Sequence, residues 1–109
     1  MITAKDVADY LDLKNGATDP HVLNPVEATN ALVSRLPDIN KVLDAQGVEV
    51  WAADTKLGAI MLAARLYTRR NSPNGIEALN EGGATYVSRY DSDIARMLNI
   101  DQHAYPRVG

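Results

Sequence analysis

Apolar residues recur along this chain mostly at helical spacing, and the recurrence stops at turn-forming clusters. The stretch "TAKDVADYLDL" predicts a first helix. Thr3 is placed to cap it, Asp6 falls at the third helical position where a carboxylate complements the dipole, and Val7, Tyr10 and Leu11 share a face. By composition "KNGATDPHVLNP" is a loop, punctuated by Gly16 and Pro20. A second helix is expected from Asn24–Pro25, because Asn caps well and Pro loses nothing in a first turn where its missing N–H would be unpaired. Its inward stripe is Val26, Thr29, Leu32, Val33 and Leu36, and Pro37 ends it. "DINKVLDAQG" reads as a short helix with Ile39, Val42 and Leu43 inward and Gly47 as its stop. "VEVW" alternates but is too short to define a strand by itself.

The third helix, from about Asp54 to Arg70, is the most apolar. In "LGAIMLAARLY" Leu57, Ile60, Met61 and Ala64 form one face, while Gly58, Leu62 and Arg65 lie around the cylinder from it. A helix apolar on all sides must be surrounded. Either the rest of the chain wraps it, or a second copy or another protein completes the cover. From residue 74 to 85 the chain is loop-like, with Gly75, Gly82 and Gly83. "ATYVSRY" carries extended propensity through Thr85, Tyr86 and Val87. "DSDIARMLNI" predicts a last short helix, capped by Asp91 or Ser92, with Ile94, Met97 and Leu98 inward. No periodicity marks "DQHAYPRVG", which reads as a flexible C-terminal tail. The expected fold is all-α: a small bundle of about four helices with long loops over residues 1–100 and an extended tail over 101–109.

Composition narrows the picture. The 109 residues suit one domain, and with 6% aromatic residues and no Phe the core must be aliphatic around Trp51 and a few tyrosines. A net charge of −3 argues against gripping nucleic acid by bulk electrostatics. The absence of cysteine excludes disulfides, zinc–thiolate sites and thiol nucleophiles. The first residues lack a basic-then-apolar signal pattern, and the apolar run Leu57–Ala64 is far short of the roughly 20 residues that span a bilayer. The expectation is a soluble protein made in a cytoplasm, with no membrane partner.

Candidate chemistry is sparse. His21 and His103 have no second ligand at metal spacing, and Ser34, Ser72, Ser88 and Ser92 lack a nucleophile-elbow context. Gly75 and Gly82–Gly83 make no phosphate loop, since the lysine and the strand–loop–helix setting are missing. Helix capping and dipole compensation account for Asp91 and Asp93. No enzyme, cofactor or metal is implied. The arginines are more informative: Arg65, Arg69 and Arg70 crowd the end of the third helix, where unpaired carbonyls favour positive charge. Arg65 and Arg69 lie one turn apart on one stripe, suited to bidentate pairing with carboxylates. Glu77, Glu81, Asp91 and Asp93 are the acidic candidates, within the chain or on a neighbouring copy, and phosphate contact is a third possibility.

Two blocks, "WAADTKLGAIMLAARLYTRRNSPNG" (residues 51–75) and "ATYVSRYDSDIARMLNI" (residues 84–100), together resemble the head-to-tail adaptor (connector) proteins of long-tailed phages, especially those of mycobacteria and other actinobacteria. The likeness is looser before residue 50, where such proteins begin with a short helix like "ITAKDVADYLDL". The resemblance implies a structural, non-catalytic virion protein of the phage neck, assembled in the host bacterial cytoplasm. It implies a dodecameric ring of this chain beneath the portal protein, a platform for the stopper (head-closure) protein, and a channel through which packaged DNA passes without sequence-specific binding. On that reading Arg65, Arg69, Arg70, Asn71, Ser72, Pro73, Tyr86, Arg89 and Asp91 are candidates for the subunit or channel interface, and Tyr105, Pro106, Arg107 and Val108 for contact with the portal. The competing reading is a small helical DNA-binding regulator, against which no helix carries the basic, polar face that a major groove requires.

Overall fold

The computed structural model describes residues 1–69, 84, 87 and 91–100. Helix α1 spans Ala4–Leu11, a single 3-10 turn spans Gly16–Thr18, and α2 spans Pro20–Arg35. Strands β1 (Lys41–Leu43) and β2 (Glu49–Trp51) form an antiparallel hairpin, α3 spans Ala53–Thr68 and α4 spans Ser92–Met97. Helix α3 is the central element, packed against α1, α2 and α4. The chain is thus mostly helical, as expected, but the all-α class needs correcting by one small two-stranded sheet.

Helix α1 begins as its sequence prescribes. The Asp6 N–H donates to Thr3 Oγ1 at 3.2 Å and the Thr3 N–H donates to Asp6 Oδ2 at 2.9 Å, a reciprocal capping box. Its end is a Schellman turn: Asp12 sits at φ 58° and the Leu13 N–H reaches back to the Ala8 carbonyl at 2.8 Å. Val7 is buried, but Tyr10, expected inward, is 52% exposed. Close packing of the 3-10 turn on α1 explains Gly16, since a Cβ there would lie 2.7 Å from the Ala8 Cβ.

The helix α2 starts five residues earlier than expected. Asp19 caps it by accepting from the His21 N–H at 2.9 Å, and Pro20 takes the first helical position. The segment expected as a loop therefore supplies a 3-10 turn and the first turn of α2. The pair Asp19–Pro20 outcompetes Asn24–Pro25 because Val22 continues the apolar stripe through Val26, Thr29, Leu32 and Val33, all buried. Pro25 is then a buried interior proline, which removes an N–H from the helical ladder. At the far end Leu36 adopts extended backbone (ψ 133°), as the residue before a proline must, and the helix stops there.

"DINKVLDAQG" is not a helix. Val42 and Leu43 are 51% and 69% exposed on β1, and only Ile39 of the predicted inward trio is buried. Asp44 organises the turn: its Oδ1 accepts the Gln46 and Val48 N–H groups at 2.9 Å each, and Gly47 stands at φ +78°. A glycine with positive φ ends a helix and closes a bulged hairpin equally well, so Gly47 did not discriminate between them. What decides is the β-branched content of Val42, Val48 and Val50 on either side.

Helix α3 buries a face other than the one expected. Thr55, Gly58, Ala59, Leu62, Ala63, Ala64 and Leu66 are buried, whereas Leu57 is 41% exposed and Ile60 and Met61 are half-buried. When nearly every position is apolar, periodicity marks no face. The inward side is set by its small residues, which let neighbouring helices approach. Gly58 shows this most directly, for a Cβ there would lie 2.9 Å from the Met97 Cβ of α4. Ile94 within α4 and Leu98 just after it are buried as predicted, with Ala95 beside them and Met97 half-buried. Val87 has helical backbone and is fully buried, which corrects the extended reading at that position, and Ala84, read as loop, is helical too; Thr85 and Tyr86 lie outside the described residues. The tail, residues 101–109, lies outside the described residues.

Candidate functional site

The end of α3 meets the start of α4, and three of the residues expected at an interface, Arg65, Arg69 and Asp91, come together there with Asp93. The Arg65 Nη1 donates to Asp91 Oδ1 at 3.0 Å and to Asp93 Oδ1 at 2.8 Å, and its Nη2 donates to Asp93 Oδ2 at 2.6 Å. Arg69, the residue that closes α3, grips Asp91 as a two-pronged fork, Nη1 to Oδ2 at 3.0 Å and Nη2 to Oδ1 at 2.9 Å. Asp91 is 1% exposed, while about a third of each arginine side chain remains open to solvent. Of the environments the sequence left open for Arg65 and Arg69, the structure shows carboxylates of the same chain.

Local structure explains why these groups meet. Arginines one turn apart leave the C-terminal end of α3 on the same side, and Asp91 and Asp93 stand at the N-terminal end of α4, so each charge also complements its own helix dipole. Asp91 occupies the capping position of α4, but its carboxylate makes no capping bond and is turned instead to the two arginines. The hydrogen bonds from Arg65 hold the Asp93 carboxyl down at about 2 and push the Arg65 guanidinium above its ordinary range. Both stay ionised at neutral pH, so Arg65 and Asp93 hold each other as an ion pair.

Three further polar contacts went unread in the sequence. Asn30 clamps the N-terminal segment, its Oδ1 accepting from the Ile2 N–H at 3.1 Å and its Nδ2 donating to the Ile2 carbonyl at 2.9 Å. The Asn40 carbonyl accepts from the buried Thr55 hydroxyl at 3.0 Å and from the Ala52 N–H at 2.9 Å, tying the hairpin to the start of α3. The Asn99 Nδ2 donates to the Asp38 carbonyl at 2.8 Å across 61 positions of sequence. Such long-range amide contacts leave no local pattern.

The other interface candidates, Arg70, Asn71, Ser72, Pro73, Tyr86 and Arg89, and the portal-contact candidates Tyr105, Pro106, Arg107 and Val108, lie outside the described residues, as do Glu77, Glu81 and His103. His21 is exposed in the first turn of α2. Among the described residues no cluster of His, Asp and Glu is arranged to hold a metal ion, and no helix is long and apolar enough to cross a membrane. The remaining surface feature is apolar. Val42, Leu43, Val48 and Val50 of the hairpin are exposed, and so is Leu57. No family model, curated protein or solved structure matches the chain.

Proposed function

We propose that this chain is a head-to-tail adaptor of a long-tailed phage: a structural subunit that forms a dodecameric ring between the portal and the stopper and extends the DNA channel. The observation that carries this reading is the paired sequence blocks 51–75 and 84–100, which resemble such adaptors and which contain both halves of the Arg65–Asp91–Arg69 clasp. A mostly helical protomer is consistent with it. Exposed aliphatic side chains on the hairpin and at Leu57 are what a subunit awaiting neighbours would carry. On this reading the clasp keeps α3 and α4 at a fixed angle, so that every copy offers the same surface to the next.

Production of particles without this chain is the test. The proposal expects DNA-filled heads and free tails that fail to join, and joining restored when purified protein is added back. Intact tailed virions assembled without the chain would refute it.

A further inference from the structure

Among the described residues no further strand pairs with either edge of the hairpin, and its hydrogen-bond phase fixes which groups face outward. The Asp44 N–H donates to the Val48 carbonyl at 2.9 Å, and the Ala52 N–H to the Asn40 carbonyl at 2.9 Å. Antiparallel pairs alternate between bonded and non-bonded. With Val42 opposite Val50, that pair is bonded inside the hairpin. Lys41 and Leu43 therefore turn their N–H and C=O groups away along the β1 edge, and Glu49 and Trp51 do the same along the β2 edge. Neither strand contains a proline or a bulge to blunt its edge.

The two edges differ in charge. β1 carries Lys41 and β2 carries Glu49, which pair across the hairpin at 3.4 Å with both side chains largely exposed. We propose that the hairpin is a self-association element, in which the β1 edge of one copy pairs antiparallel with the β2 edge of the next. Lys41 then faces Trp51 of the next copy and Leu43 faces its Glu49. This is the register of the hairpin itself, and it engages the outward groups of all four residues. Each Lys41 comes within two positions of a neighbour's Glu49, so opposite charges meet at every junction. Val42 and Val50 of successive copies fall on one face and form a continuous apolar stripe. Two-fold pairing of like edges, β1 on β1 or β2 on β2, would instead gather two lysines or two glutamates at one junction. The head-to-tail contact is heterologous, the kind that closes into a ring. It deepens the proposed adaptor function but is argued from the hairpin alone.

The chain has no cysteine, so single substitutions report pairing cleanly. Leu43→Cys and Glu49→Cys proteins are purified separately, mixed at high concentration and oxidised gently. The head-to-tail register predicts a disulfide-linked heterodimer at least several-fold more abundant than the homodimer from either protein alone. No excess of heterodimer over homodimers would overturn the proposal. A cross-link confined to Leu43→Cys with Lys41→Cys would also overturn it, in favour of two-fold pairing. Both failures concern only the contact between copies; the adaptor reading stands or falls separately on whether particles join without the chain.

Discussion

Asp91 is the side chain that joins the two arginines of α3. It is buried, it accepts from two guanidinium groups, and its removal would leave both without their shared partner. Hydrogen bonds to charged groups contribute about 1.5–3 kcal/mol each, so Asp91→Ala is expected to cost about 3 kcal/mol, measured as a fall in the urea midpoint at unchanged slope. Asp93 is half exposed, and Asp93→Asn should cost less than about 1 kcal/mol. Its pH dependence has a definite sign. The folded-state pKa lies near 2, below the ordinary 3.8, so the stabilisation is present in full above pH 3.8 and is lost as pH falls through 2. The difference in melting temperature between the natural chain and Asp93→Asn should therefore be constant near neutrality and should shrink between pH 4 and pH 2. A gap that persists unchanged down to pH 2 would contradict this assignment. Thr29 presents the opposite case, a fully buried hydroxyl with no hydrogen-bond partner among the described residues. Thr29→Val keeps the shape and removes the unsatisfied group, and should raise stability by about 1 kcal/mol in the same urea assay. The arginine stripe and its acidic partners were legible in the sequence because charge at helix ends follows a local rule. Which carboxylate each arginine takes was not, since that depends on where the chain returns after residue 69.

At the scale of elements, what could be read was whatever carries its own boundary chemistry. The capping box at Thr3 and Asp6 and the stop at Leu36–Pro37 appear as their sequences prescribe. The elements misread are those whose signals are shared. Asp19–Pro20 and Asn24–Pro25 are equivalent helix openings, and only the burial of Val22 decides between them. Gly47 serves a hairpin turn as well as a helix end. Helix α3 hides its inward face because it is apolar on every side, and size rather than polarity sets its orientation. Gly58→Ala tests that account. Alanine favours a helix over glycine by about 1 kcal/mol, yet here its Cβ would sit 2.9 Å from the Met97 Cβ, whose position is fixed by the backbone and does not change with rotamer. Overpacking costs about 1–3 kcal/mol, so the net effect should be a loss of about 1 kcal/mol, seen as a lower melting temperature. A rise would mean that α4 does not approach α3 through Gly58.

For the whole molecule, a small aliphatic core wraps the side of α3 formed by Gly58, Ala59, Leu62 and Ala63. It leaves Leu57 and the hairpin valines uncovered, and on the reading proposed here neighbouring subunits cover them. The clasp that joins α3 to α4 is internal to one chain and needs no neighbouring copy to form. Substitutions at the hairpin and at the clasp should therefore separate: the former should impair assembly with stability retained, the latter should lower stability first. The most direct measurement of the central claim is electron microscopy of this protein mixed with its cognate portal. The account predicts a closed ring of twelve copies coaxial with the portal, with density for the hairpins at the subunit boundaries. Portal particles that carry no added density, or a single copy bound off the axis, would contradict it.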